Sequence, residues 1–358
     1  MQSEHDGKRP PKALKALGLL SGGLDSTLAA RLLQEQGIEV EGVHFSTGFC
    51  KVDHRRALRR PADAARPSRL KQQALRAGSD LGAPVEVVDV AEEYLREVVL
   101  HPKYGYGSAM NPCIDCRIFM LRKAAERAGE LGADVVFTGE VVGQRPMSQH
   151  HAALRTIEAD SGLAGRLLRP LSAAHLDPTE AERDGRIDRS KLGALHGRGR
   201  GAQLELARRF GLDEFPAPSG GCCFLADRSF ARRLRDLLDH TDPAKVTRED
   251  LVLLKVGRHF RLAHDTKVVL GRDEPESRLL RLQAGERWTC QVESGKGSFG
   301  VVEGEPDELR LLEAASLAAR YCAARAEALL PVALRRAGES RRVEVAPASD
   351  ETLERRRI

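Results

Sequence analysis

Nowhere in the 358 residues is there an apolar run long enough to cross a bilayer, and the start Met1-Gln-Ser-Glu-His-Asp-Gly-Lys-Arg-Pro10 has no secretion-type apolar core. A cytoplasmic protein with no membrane partner is therefore expected. No Gly-x-x-x-x-Gly-Lys-Ser/Thr motif occurs, which excludes the Walker phosphate loop. Internal repeats are missing too. There is one Cys-x-x-Cys but no second, and no His-x-x-x-His, so a self-contained four-ligand zinc site is not encoded. The seven cysteines are an odd number with close spacings, which in a reducing compartment favours metal or catalytic thiols over disulfides.

What is present begins with Lys15-Ala-Leu-Gly-Leu-Leu-Ser21-Gly22-Gly23-Leu24-Asp25-Ser26. The apolar run Leu17–Leu20 predicts a buried parallel strand. Two glycines then permit a turn with positive φ, and helical spacing runs from Asp25 or Ser26 to Gln36, with Gly37 as the stop. Strand, glycine turn and helix N-terminus together aim backbone N–H groups and a helix dipole at an anion. This stretch resembles the SGGxDS pyrophosphate loop of ATP pyrophosphatases, which split ATP between its α and β phosphates. The plain alternative is a Ser/Gly turn before a helix.

The alternation continues with strand 38–45, helix 70–81, strand 85–90 and helix 91–99, which predicts a doubly wound parallel sheet covered on both faces. Strand 38–45 ends at His44 and Phe45, where a nucleotide base would sit in such a sheet, unless both are core residues. The basic stretch 49–69 reads as a solvated insertion. A glycine-rich loop then leads into Asn111-Pro-Cys113-Ile-Asp-Cys116, expected just before a helix over 117–131, where the dipole favours thiolates. Strand 133–137 carries Thr138-Gly139-Glu140 at its end, followed by Gln144 and Arg145, a second place to hold phosphate or ribose. Leu167–Ser172 predicts a last strand and turn, and Pro218-Ser-Gly-Gly-Cys222-Cys223 a tight thiol-bearing loop.

After an amphipathic helix over 230–238, short strands are expected at 251–256, 259–263, 267–270, 288–292 and 299–303, then a helix over 306–329. The domains expected are a mobile 1–13, an α/β domain 14–225, a linker helix 226–240, an α+β domain 241–335 and a disordered, Arg/Glu-rich tail 336–358. A net charge of +5 permits nucleic-acid binding without requiring it.

In combination, Ser21–Ser26, Asn111–Cys116, Thr138-Gly-Glu140, Gly143-Gln-Arg-Pro-Met-Ser-Gln149, Arg169-Pro-Leu-Ser172 and Pro218–Cys222 resemble the catalytic domain of 4-thiouridine synthetase-type tRNA sulfurtransferases over roughly residues 12–235. The resemblance implies an adenine nucleotide alpha hydrolase-like fold and ATP with Mg²⁺ held by Ser21, Gly22, Gly23, Asp25, Ser26, His44, Phe45, Thr138, Gly139, Gln144 and Arg145. It further implies catalytic roles for Cys222, Cys113 and Asp25, and a [4Fe–4S] cluster on Cys113, Cys116 and Cys222, with Cys223 the competing ligand. The stated partners are tRNA and a sulfur donor, sulfide or a cysteine desulfurase, with a homodimer open. The RNA-binding module that precedes this loop in the best-known members is not expected in the 20 residues before Ser21. Leu251–Arg272 is similar to NFACT-type RNA-binding domains, which makes Lys255, Arg258, Arg261 and Arg272 candidate phosphate contacts. The rivals are an enzyme of the same ATP-splitting fold acting on a small molecule (a 7-deazaguanine nitrile synthase or a sulfur transferase) and a non-catalytic RNA-binding protein.

Overall fold

A computed structural model describes residues 14–51, 69–212, 215, 223–293 and 297–358, and the chain divides into two compact units. The first contains Met1–Cys50, Pro67–Gly107 and Asn111–Cys222, and the second Lys51–Arg66, Ser108–Met110 and Cys223–Ile358. Residues 1–13 and most of the basic stretch 49–69 lie outside the described residues. No described helix is long and apolar enough to cross a membrane.

The first unit is an α/β fold. Its five strands are β1 Lys15–Leu19, β2 Glu39–Ser46, β3 Val85–Asp89, β4 Val135–Thr138 and β5 Leu167–Leu168, all parallel in the order β3-β2-β1-β4-β5. The order reverses between β1 and β4, the switch point beyond whose carboxyl ends open α/β sheets bind ligands. Helices α1 Leu24–Gln34, α2 Arg69–Leu81, α3 Ala91–Tyr94 (continued by a wider turn to Val99), α4 Cys113–Leu131 and α5 His151–Asp160 complete the first half. α6 Glu180–Arg183 and α7 Gly201–Arg209 follow. Leu20, Leu28, Leu33 and Phe137 share one core, so α1 is fixed against the sheet by apolar packing.

The second unit holds α8 Arg228–His240, α9 Arg248–Leu253, α10 Glu274–Gln283, α11 Glu308–Arg320 and α12 Asp350–Arg356. Its six strands form an antiparallel sheet, β6 Arg258–Arg261, β7 Lys267–Leu270, β8 Trp288–Val292, β9 Phe299–Glu303, β10 Leu330–Arg336 and β11 Glu339–Val345, ordered β11-β10-β8-β9-β7-β6.

Four expectations differ from this fold. The strand expected at 251–256 is helix α9, because Thr247 and Asp250 form a capping box, each side chain bonding the other's backbone N–H. The helix expected over 306–329 stops at Arg320. The tail expected to be disordered is β11 and α12. β11 pairs with β10 from Leu330↔Val345 to Arg336↔Glu339 across the turn Ala337-Gly338. Its charges belong to an exposed sheet edge and are met by ion pairs Arg341–Glu308 (2.7 Å) and Arg342–Glu293 (3.0 Å). Helix α8, expected as a linker, belongs to the second unit.

Candidate active site at the carboxyl edge of the parallel sheet

The loop after β1 is built by geometry that only glycine allows. Gly22 has φ +74°, and a Cβ there would overlap the backbone of Gln73 and Ala74 in α2. Gly23 is the extended N-cap of α1, and the Ser26 and Thr27 hydroxyls fold back onto its carbonyl at 2.9 and 3.2 Å. The Ser21 hydroxyl accepts the Gly23 N–H at 3.3 Å and lies 3.4 Å from that of Ser26. The result is a tight cradle on the first turn of α1.

β4 delivers the second glycine to the same place. A Cβ on Gly139 would meet the backbone of Asp25 and Ser26, so β4 can end against α1 only because position 139 has no side chain. Thr138 is buried. Gln144 Nε2 donates to Asp25 Oδ2 at 2.9 Å, while Asp25 Oδ1 is buried with no hydrogen-bond partner. An orphaned carboxylate oxygen is costly unless a cation or donor ligand meets it. Asp25 therefore fits a magnesium–nucleotide ligand. His44 is buried and its Nδ1 bonds the Leu20 carbonyl at 3.1 Å, tying β2 to the end of β1, and Phe45 is buried as well. Arg145 is exposed.

The thiols sit differently from expectation. α4 begins at Cys113, not after Cys116, so both cysteines lie in its first turn, three residues apart on one face. Asn111 Nδ2 donates to Cys113 Sγ at 3.2 Å and to Met147 Sδ at 3.0 Å. Met147 lies three residues after Gln144, so the same segment bonds both Asp25 and, through Asn111, Cys113. Asp115 accepts the backbone N–H groups of Lys103 and Tyr104 (2.8 and 3.1 Å), which pins the preceding glycine-rich loop. Cys222 lies outside the described residues. Cys223 is half-buried just before a short turn, Phe224–Ala226, in the second unit.

Glu140 is the residue whose importance the sequence hid. It is 2% exposed and sits between Arg169 (Nε, 3.2 Å) and Arg117 (3.2 Å), with Thr138 donating to it at 3.2 Å. Burial pushes its pKa up, but Arg117 and Arg169 outweigh burial and hold the carboxyl below the ordinary glutamate value. Arg117 directly follows Cys116, so this buried pair locks the thiol-bearing turn of α4 to the end of β4. Glu140→Gln should cost about 3 kcal/mol, because Arg169 keeps Glu158 (2.9 Å) but loses a buried countercharge. A carboxylate whose pKa is depressed on folding stabilises above its unfolded pKa and loses that contribution as pH falls below about 4.5. Acid-limb denaturation curves should accordingly be flatter for Glu140→Gln than for the natural chain.

The fold and site together define a parallel α/β nucleotide-binding domain with a pyrophosphate-type glycine loop, followed by an antiparallel α+β unit. Residues 14–160 match the family described as the tRNA methyl transferase HUP domain, and residues 257–356 match the NFACT protein RNA binding domain. Among curated proteins, the tRNA-specific 2-thiouridylase MnmA of Syntrophotalea carbinolica is 38% identical over 123 residues, 34% of this chain and 32% of that protein. The protein of the same name from Methylobacterium nodulans is 28% identical over 289 residues, 78% of this chain and 68% of that protein. The chain thus spans about a third of the first relative's length and about two thirds of the second's. A 4-thiouridine synthetase–RNA complex with bound ATP aligns at 25% identity over 55% of this chain and 50% of that one, but its TM-score of 0.32 is too low to carry an argument. The sequence resembles 4-thiouridine synthetases, whereas these curated relatives are named 2-thiouridylases. The two names share a thiouridine and differ in its position, 4 against 2.

Proposed function

We propose that the chain thiolates a uridine of tRNA at the expense of ATP. A uracil carbonyl oxygen attacks the α-phosphorus and pyrophosphate leaves. A sulfur nucleophile then attacks the adenylated carbon and expels AMP. The observation that supports this reading is that one segment, residues 144–147, bonds through Gln144 to Asp25 of the glycine loop and through Met147 to Asn111, which also bonds Cys113.

The cradle's backbone N–H groups and the dipole of α1 stabilise the charge growing on the departing pyrophosphate. Asp25 Oδ1 would take a Mg²⁺ that neutralises phosphate charge, with Gln144 holding the carboxylate in place. The Asn111 side-chain N–H bonds Cys113 Sγ and so holds it at the start of α4. In a persulfide route, the terminal sulfur of a Cys222 persulfide bonds to the activated carbon as AMP leaves. The Cys113 or Cys116 thiolate then attacks Cys222 Sγ, which frees the thiouridine and leaves a disulfide to be reduced. Cys113 and Cys116 also fit two of the three ligands of a [4Fe–4S] cluster, with Cys222 as the third. Such a cluster would supply an iron lacking a protein ligand, at which hydrosulfide can bind.

Of the four cations first expected to touch RNA, two are already neutralised. Arg261 pairs with Asp236 (2.5 Å), and Arg272 pairs with Glu276. Arg258 lies on the Tyr321 ring at 4.3 Å, and Lys255 lies over Phe224 at 5.9 Å. By contrast, Arg228, Arg232 and Arg235 are exposed on one face of α8, spaced four and three apart, and have no ion-pair partner among the described residues; Asp236, next to Arg235 in sequence, is taken by Arg261. Replacing these three by alanine should lower tRNA affinity and reduce its log–log salt slope by about 2 to 3, whereas Arg261→Ala and Arg272→Ala should leave the slope unchanged.

The reading is tested by following AMP and pyrophosphate with and without tRNA. Equimolar AMP and pyrophosphate, stimulated by tRNA, are expected. Formation of ADP and phosphate, or a rate indifferent to tRNA, would refute it.

A further inference from the structure

Ser172 ends the Arg169-Pro-Leu-Ser motif, and its fully buried hydroxyl has a specific task. It accepts the Val142 N–H at 3.0 Å and donates to the Leu195 carbonyl at 2.6 Å. Around it, Gly193 N–H bonds Pro170 O (2.7 Å), Leu195 N–H bonds Leu171 O (2.8 Å) and Gly197 N–H bonds Val142 O (2.7 Å). His196 pairs in parallel with Val142 as an isolated bridge. Residues 193–197 are therefore a strap laid alongside the chain that leaves β4. Its His196 ring lies 3.3 Å from where a Cβ of Gly143 would be and edge-on to His175 (5.4 Å). Gly143 immediately precedes Gln144, the partner of Asp25.

Beyond His196 the strap carries Arg198 and Arg200 on glycine-separated positions. Neither side chain has an ion pair or hydrogen bond among the described residues. Of the cations nearby in sequence, Arg189 pairs with Glu182 (2.7 Å), Arg186 with Asp184 (2.8 Å) and Arg209 with Glu35 (2.6 Å), whereas Arg183 and Arg208, like Arg198 and Arg200, have no ion pair among the described residues. Two uncompensated guanidinium groups, two and four residues past the His196 ring that faces Gly143, form a local positive field suited to phosphate. The nucleotide's own phosphates are served by the loop 21–26, whereas Arg198 is exposed.

We infer that the strap is an RNA-backbone contact of the active-site edge, with Arg198 and Arg200 gripping phosphates that flank the target nucleotide and Ser172 and His196 positioning the strap. This rests on the reading that the second substrate is RNA.

The test is filter binding of tRNA to the full chain between 50 and 200 mM salt, for the natural protein, the double variant Arg198→Ala/Arg200→Ala and the double variant Arg198→Lys/Arg200→Lys. Calorimetry with a non-hydrolysable ATP analogue runs in parallel. The alanine pair should weaken tRNA binding about tenfold or more at low salt and cut the salt slope by about 2, the lysine pair should keep the slope, and the ATP analogue should bind all three alike. An unchanged tRNA slope in the alanine pair overturns the inference. So does a loss of ATP-analogue affinity, which would assign the two arginines to the nucleotide. A natural chain that binds tRNA with the expected slope yet releases no pyrophosphate refutes thiolation instead, and leaves the strap standing.

Discussion

Asp25→Asn should slow pyrophosphate release by about a hundredfold or more, the scale of losing one preorganised electrostatic partner of a reacting phosphate. The substitution is nearly isosteric, and its amide oxygen can still accept from Gln144 Nε2, so the loop should keep its shape. What disappears is the charge on the oxygen that has no partner inside the protein. Binding of an ATP analogue without metal should change little, while the magnesium dependence of binding should fall. Thermal unfolding should move by only a few degrees, because an unmet buried carboxylate does not stabilise the fold. If Asp25 merely caps α1, the pattern inverts: melting drops and turnover per folded molecule stays.

The second large effect concerns the thiols. Cys113→Ala should abolish sulfur transfer, by about 10⁴-fold or more, as when the reacting group of a covalent catalyst is removed. Adenylation draws on a different part of the site, so ATP-analogue affinity should survive. Cys116→Ala separates the two sulfur routes. A cluster needs both cysteines of the first turn of α4, so either substitution would remove iron from anaerobically purified protein. A persulfide route resolved by Cys113 needs no iron and no second thiol of that turn, so Cys116→Ala would keep activity. In either case Asn111→Ala should weaken transfer more than adenylation, since its amide bonds Cys113 Sγ and Met147 Sδ rather than the cradle.

Much of this site was legible because its pieces are local. Strand, glycine turn and helix N-terminus occupy adjacent residues, and so do the two cysteines one helical turn apart. The relations between the pieces were not legible. Gln144 meets Asp25 across 119 residues, and Ser172 stitches Val142 to Leu195 across gaps of 30 and 23, none of which leaves a periodic trace. Glu140 read as part of a strand-end turn that could hold phosphate or ribose, and only the fold reveals that two arginines from different elements converge on it. Composition misled at the C-terminus, where the charges of β11 mark a sheet edge rather than an unfolded tail. At Thr247 a capping box outweighed an apolar run that reads as a strand.

The most direct measurement is mass spectrometry of nucleosides from unmodified tRNA incubated with the protein, ATP, Mg²⁺ and sulfide or a persulfide donor. The account predicts a uridine heavier by the replacement of one oxygen with sulfur, formed in step with AMP and lost in both Asp25→Asn and Cys113→Ala. Unaltered uridine alongside tRNA-stimulated ATP cleavage would contradict it.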